Sequence, residues 1–157
     1  MSIINIIEGQ TNEILGDITA KNILSNNHRK SLKDNLETFD FRTFADKDFS
    51  QHLGEHNRVI IPSEYKGFIE FIIWESSKYR DTEGLKYEVY TSASYLLLKK
   101  AAVIKPQTLS EQTASTATSH ALDGTEWQSG IIEGAGYHTF HIEEHTNPYA
   151  FLRRIAK

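Results

Sequence analysis

The chain lacks cysteine entirely, and it has only three prolines, one methionine and no long uninterrupted apolar run. The absence of cysteine excludes disulfide bonds, zinc–thiolate sites and thiol nucleophiles. A membrane-spanning helix would need about 20 apolar residues in succession. A chain of 157 residues is long enough to bury about 70% of its extended surface. The sequence therefore indicates a globular protein whose core needs no covalent cross-link.

Positive charge is also scarce, because 17 Lys and Arg residues stand against 21 Asp and Glu, for a net charge of −4. A nucleic-acid-binding face needs clustered positive charge that releases counterions, so no nucleic-acid partner is expected. Residues 1–7 are largely apolar, but they lack the basic region that begins a signal peptide. Cytoplasmic residence is the default expectation, and signal-independent export is left open.

The N-terminal segment carries isoleucines at spacings of three, four and seven between Ile3 and Ile18. This spacing fits an amphipathic helix and predicts a helical arm over residues 1–27. Two interpretations are open: an arm packed on the rest of the protein, or a detachable segment that enters a membrane interface. Lys21 is the only basic residue of the arm, whereas membrane-surface helices usually have a basic polar face.

The remaining sequence consists of short alternating runs that are typical of half-buried strands. Residues 68–74 are apolar at every position but one, so both faces of a strand formed by them would be apolar. This pattern predicts a central strand. Residues 107–121 predict an exposed loop or edge, and Asp123-Gly124 predicts a hairpin turn. We therefore expect a mainly β fold, in which a single-domain antiparallel β-sandwich or open barrel over residues 28–157 follows the N-terminal amphipathic helix.

The most chemically suggestive motif is His141-Ile-Glu-Glu-His145, which matches the H-x-x-E-H pattern of inverted zinc proteases. That chemistry requires a helix, which brings residues four apart to one face. Here the neighbouring residues favour a strand, in which the two histidines lie about 13 Å apart. No acidic residue follows Glu144 to supply the further ligand. The protease interpretation is rejected, and the strand face with His141, Glu143 and His145 is kept as a candidate metal site.

Aromatic residues are comparatively numerous, with seven Tyr, eight Phe and two Trp. A ring at a strand end or turn can provide a stacking platform for a sugar or a lipid headgroup. Four such residues are candidate ligand-binding positions: Trp127, Tyr137, Tyr95 and Tyr149. An amphipathic leader, no cysteine and a tyrosine-rich β body together resemble the architecture of small pore-forming toxins of the actinoporin and aegerolysin type, or of lectins. The resemblance covers architecture alone and assigns no residue.

These features favour a non-enzymatic binding protein that recognises a glycan or a membrane surface through loops and aromatic side chains. Two alternatives remain open. One is a protein-interaction subunit, inhibitor or immunity factor of a larger assembly. The other is a metal-dependent enzyme that uses His141 and Glu143. The expected partner is thus a glycan, a lipid surface or a protein; a homo-oligomer is left open, and no organic cofactor is expected.

Overall fold

A computed structural model describes residues 2–31, 33, 36–45, 47–63 and 67–157 of the chain. The fold is mainly β and its ladders are antiparallel, which confirms the predicted class. The chain divides into two compact units, residues 1–94 and residues 95–157. Within the described ranges, no helix is long and apolar enough to span a membrane.

The first unit contains seven strands. They are β1 (Ser2–Ile7), β2 (Ile14–Thr19), β3 (Ile23–Ser31), β4 (Leu36–Phe44), β5 (Arg58–Ser63), β6 (Gly67–Asp81) and β7 (Gly84–Ala93). They form one sheet in the spatial order β2-β1-β5-β6-β7-β4-β3. The central strand predicted over residues 68–74 lies in β6, which occupies the middle position. Short 3-10 helices, Ala20–Asn22 and Asp48–His52, lie between β2 and β3 and between β4 and β5.

One face of this sheet forms the core of the first unit. Alternate residues of its strands are buried there, and they are mostly β-branched or aromatic: Ile4, Ile6, Ile18, Phe39, Phe41, Val59, Phe71, Ile73 and Val89. The register places them side by side, because Ile6 pairs with Val59 and Val59 pairs with Phe71. The alternation that predicted half-buried strands is therefore set by one common buried face.

The N-terminal helix predicted within residues 1–27 is not present in the described structure. Instead, β1 and β2 pair in an antiparallel ladder with Ile4 opposite Ile18. On the other face of this ladder, the Asn5 side chain donates a hydrogen bond to the Asp17 carboxylate at 2.6 Å. Isoleucine is β-branched and packs well on a pleated sheet. The proposed boundary after residue 27 lies inside β3.

The second unit combines a two-stranded sheet with three helices. These elements are α1 (Leu98–Ala101), β8 (Gln107–Gln112), α2 (Ala114–Leu122), β9 (His138–Ile142) and α3 (Pro148–Ile155). Their core contains Ile104, Ala121, Ile142 and Phe151. The longer helices α2 and α3 are capped by side chains, because Thr113 and Asn147 accept hydrogen bonds from main-chain N–H groups in the first turn.

Two local predictions for this unit differ from the structure. Residues 107–121, predicted as an exposed loop or an edge, form the strand β8 of the two-stranded sheet and most of α2, in which Ala117 and Ala121 bury a small apolar stripe within a polar segment. Asp123-Gly124 does not connect two strands; it follows the last turn of α2, and Gly124 has a φ of +75°. Glycine at the end of a helix uses the same left-handed conformation as glycine in a hairpin turn, so the dipeptide alone does not separate the two structures.

Candidate functional site

Two of the four aromatic candidates lie together in the second unit. The rings of Tyr95 and Tyr149 are stacked with an interplanar angle of 7° and a centroid distance of 6.4 Å. The Lys99 ammonium lies 5.0 Å from the centroid of the Tyr149 ring, which is within cation–π range. Both tyrosines are half-buried. Because each ring already contacts another side chain, this pair is mainly a packing contact between the start of the unit and α3.

Trp127, a third candidate, follows the turn after α2 and is half-buried. Its main-chain N–H donates to the Thr125 hydroxyl at 3.2 Å, and that hydroxyl donates to the Leu122 carbonyl at 2.7 Å. Trp127 lines two open clefts of about 440 and 420 Å³, and both clefts also include Gly124 and Thr125. The turn thus fixes the main chain of Trp127 while its side chain borders two recesses.

Tyr137, the fourth candidate, is 75% exposed and precedes β9. It belongs to a stretch of ten residues, 128–137, that contains no helix or strand. Ile131 in the same stretch is 97% exposed. Tyr137 does not line either of the clefts around Trp127, so the structure does not join it to the other candidates.

The predicted metal-binding strand is present only in part. His141 lies in β9, but this strand ends at Ile142, and Glu143 and His145 follow it. All three candidates line one open cleft of about 470 Å³ together with Arg154. The Arg154 guanidinium donates a hydrogen bond to the His141 carbonyl at 2.8 Å. His141 also contacts β8, where its Nδ1 atom lies 3.2 Å from the Thr108 hydroxyl.

A shared cleft is not the same as a ligand set. In the part of the chain that the structure describes, no three His, Asp or Glu side chains are grouped so that they could hold one metal ion. The reason is the early end of β9, which removes Glu143 and His145 from the regular alternation that the sequence predicted. The structure therefore brings His141, Glu143 and His145 to one recess without converging their donor atoms.

The first unit exposes an apolar surface that the sequence analysis did not single out. Phe68 and Trp74 on β6 are 70% and 63% exposed. Phe68 pairs with Pro62 of β5, and Trp74 lies at a β-bulge between Ile73 and Glu75. The sequence contained the signal for this exposure, since a strand that is apolar on both faces places apolar side chains on the face opposite the core as well.

An ion pair between β4 and β7 lies on the same side of the sheet. Arg42 donates two hydrogen bonds to Glu88, at 2.8 Å from Nε and 2.6 Å from Nη2. This contact raises the pKa of Arg42. Burial raises the pKa of Tyr90, and the negative charge of Glu88 adds to that rise. The charges of Arg42 and Glu88 therefore neutralise each other within the sheet.

The two edges of the sheet, β2 and β3, carry opposite charge. Arg29 on β3 and Asp17 on β2 are both exposed. Arg29 follows His28, whose ring packs against core phenylalanines, and Asp17 precedes the buried Ile18. Because side chains alternate along a strand, Arg29 and Asp17 both project from the face opposite the core. A strand at the edge of a sheet can pair with a strand of another chain.

Comparison with known proteins gives a fold and no family. No protein-family model matches the chain, and no curated protein matches it. Three solved structures resemble it over 98% of its length. They are the tail protein from Neisseria meningitidis MC58 (TM-score 0.55, 12% identity), prophage tail protein gp18 from Listeria monocytogenes EGD-e (0.58, 13%) and the prophage MuSo2 43 kDa tail protein from Shewanella oneidensis (0.55, 14%).

The resemblance concerns only part of each of these proteins. The chain covers 44% of the Neisseria protein, 45% of the Listeria protein and 47% of the Shewanella protein. At this level of identity the likeness shows a shared fold. It carries no residue assignment from those proteins to this chain.

Proposed function

We propose that this chain is a structural subunit of a protein assembly of the phage-tail kind, and that copies of it associate through the two edges of the seven-stranded sheet. The observation that carries this proposal is the resemblance over 98% of the chain to three tail proteins from different bacteria. It corresponds to the protein-interaction alternative from the sequence. The lipid-surface hypothesis rested on the N-terminal pattern and on the aromatic residues, and the N-terminal residues form strands.

The direction of the edge strands supports association of a head-to-tail type. Every neighbouring pair in the sheet is antiparallel. In a sheet of seven strands, the first and last strands then run in the same direction. If β3 of one copy lies beside β2 of the next in the same orientation, the junction is a parallel pair. This arrangement uses a different surface on each side, so it can close into a ring or continue as a filament.

Charge supports the same arrangement. In a continuous sheet the buried faces of neighbouring copies are aligned, so Arg29 of one copy and Asp17 of the next project from the same side. Glu13, which is also exposed, lies next to β2 and adds to its negative charge. Opposite charges across adjacent strands stabilise a pair by about 0.2–1 kcal/mol, and like charges destabilise it. Complementary edges therefore favour β3–β2 contacts over contacts between two identical edges.

Sedimentation velocity over a range of protein concentrations tests this proposal. We expect the wild-type chain to form species larger than a monomer as concentration rises, and we expect Arg29→Glu or Asp17→Arg to shift that transition to higher concentration. Arg80→Glu is the matched control, because Arg80 is an exposed residue with the same charge change on the central strand β6. A wild-type chain that stays monomeric throughout, or edge variants that assemble like the control, would contradict the proposal.

A further inference from the structure

We infer that the two clefts around Trp127 form one binding site for a neutral oligosaccharide. The clefts belong to the second unit, and Gly124, Thr125 and Trp127 line both of them. Their volumes of about 440 and 420 Å³ each suit a ligand larger than a few atoms. The inference is independent of the sheet edges, which lie in the first unit.

The lining of the clefts combines an aromatic surface with groups that form hydrogen bonds. Trp127 supplies the aromatic surface, and it is half-buried. Ser119, Gln128 and Ser129 line the second cleft and are exposed. Serine and glutamine side chains both donate and accept hydrogen bonds. A sugar ring needs this combination, because it has an apolar face of C–H groups and a rim of hydroxyls.

The charges of the clefts indicate that the ligand is uncharged. The first cleft contains one cation and one anion, Lys100 and Glu126. The second contains a single carboxylate, Asp123. Neither recess therefore concentrates charge of one sign, as a site for a phosphate, a sulfated glycan or a cationic peptide would. A carboxylate among neutral polar groups can accept hydrogen bonds from sugar hydroxyls without opposing a charge on the ligand.

Gly124 lines both clefts and leaves space beside the main chain. It has a φ of +75°, and no heavy atom lies within 4 Å of the position where a Cβ atom would stand. A glycine here lets a ligand approach the main chain closely. Because Gly124 and Trp127 border both recesses, we expect the site to bind a ligand of at least two linked rings more tightly than a single sugar.

Intrinsic fluorescence reports on this site directly, because the chain has two tryptophans and Trp74→Phe leaves Trp127 as the only one. In this background we expect a saturable fluorescence change with at least one of the neutral probes chitotetraose, cellotetraose and maltotetraose. The Kd should be on the order of 1 mM, since open clefts leave much of the ligand in water. No saturable change with any of the three probes would overturn the inference.

Variants then locate the bound sugar. Gln128→Ala should weaken binding by about tenfold, as expected for one lost hydrogen bond, and Trp127→Ala should abolish it in ligand-observed saturation-transfer NMR. Tyr137→Ala is the matched control and should bind normally.

Circular dichroism checks that each variant is folded. If Trp127→Ala does not fold, Gln128→Ala alone decides the test. Sugar binding that persists in folded Trp127→Ala, or that Gln128→Ala leaves unchanged, would overturn the inference. Sedimentation of the Trp127 and Gln128 variants should match the wild type, which separates this result from the assembly proposal.

Discussion

Arg58 on β5 holds the end of β1 through the main chain of Glu8. Its Nε and Nη2 atoms donate to the Glu8 carbonyl at 3.2 and 3.0 Å, and its Nη1 atom donates to the Glu70 carboxylate at 3.0 Å. The Glu8 side chain accepts main-chain N–H groups of Thr11 and Gln10 at 2.6 and 2.7 Å, which lowers the pKa of Glu8. The turn that leads into the edge strand β2 is therefore fixed from both sides.

Loss of this clamp should destabilise the sheet. We expect Arg58→Ala to lower the free energy of unfolding by about 1–3 kcal/mol, because it leaves partly buried carbonyl and carboxylate groups without their donor. Arg80→Ala, at an exposed position near the end of β6, should change it by less than about 0.5 kcal/mol. Urea denaturation followed by circular dichroism measures both. Equal effects of the two substitutions would show that Arg58 contributes only as a surface charge.

Next to this turn, Gly9 lies close to the main chain of His56, so a side chain at Gly9 should lower the stability. A Cβ atom at Gly9 would lie 2.5 Å from the carbonyl oxygen of His56, whereas at Gly54 nothing lies within 4 Å. Gly9→Ala must displace main-chain atoms and should cost about 1–3 kcal/mol of stability. Gly54→Ala should leave stability unchanged or raise it by a few tenths of a kcal/mol. Thermal denaturation of the two variants and the wild type measures both effects. A Gly9→Ala protein as stable as the wild type would contradict the close approach.

The β6–β7 hairpin contains an ion cluster whose stability depends on pH. The buried Lys86 ammonium lies 2.7 Å from the Asp81 carboxylate and 2.5 Å from that of Glu83. Its hydrogen bond lowers the pKa of Asp81, and the bonds to Asp81 and Glu83 raise the pKa of Lys86. A lowered carboxyl pKa adds stability that is present above the unfolded value of about 3.9 and is lost as pH falls through the folded value. A raised lysine pKa adds stability below about 10.4 that is lost as pH rises further.

Asp81→Asn should therefore lower the Tm at neutral pH, and its Tm should approach that of the wild type as the solution is acidified below the folded pKa of Asp81. The two Tm values should converge because, below that pKa, both proteins have a neutral side chain at position 81. Differential scanning calorimetry across the acid range measures the two Tm values. A Tm difference that stays constant from neutral to strongly acidic solution would contradict the assigned role of the Asp81 charge.

Two phenylalanines on β6 distinguish the core face from the exposed face. Phe71 is fully buried and Phe68 is 70% exposed. Phe71→Ala should cost about 3–5 kcal/mol, and Phe68→Ala should change the stability of the monomer by less than about 0.5 kcal/mol. Chemical denaturation gives both values. A large loss at Phe68 in the monomer would mean that the face carrying it is covered within the chain.

The sequence was sufficient to predict that the fold is mainly β and that β6 is a central strand, because alternation and a continuous apolar run are local signals. It was insufficient at the N-terminus, where isoleucines spaced by four residues satisfy the period of a strand as well as that of a helix. The choice depends on pairing between distant segments, such as Ile6 with Val59. Pairing of this kind adds a stabilisation that a single segment does not reveal.

The candidate sites show the same limit more strongly. Tyr95 and Tyr149 were identified as separate residues, and only the fold stacks their rings. The clefts at Trp127 depend on the turn after α2, which the sequence suggested as a hairpin. The opposite charges of Arg29 and Asp17 gain meaning only from the strand order, because it places β2 and β3 at the two edges.

The assembly proposal is tested most directly by sedimentation velocity of an equimolar mixture of the Arg29→Glu and Asp17→Arg variants. In the mixture, the glutamate introduced on β3 of the first variant can face the arginine introduced on β2 of the second. The unchanged Arg29 of the second variant can face the unchanged Asp17 of the first, so every junction of an alternating assembly regains opposite charges. We predict species larger than a monomer in the mixture at concentrations where each variant alone is monomeric. A mixture that sediments as the sum of the two separate variants would contradict head-to-tail association through β3 and β2.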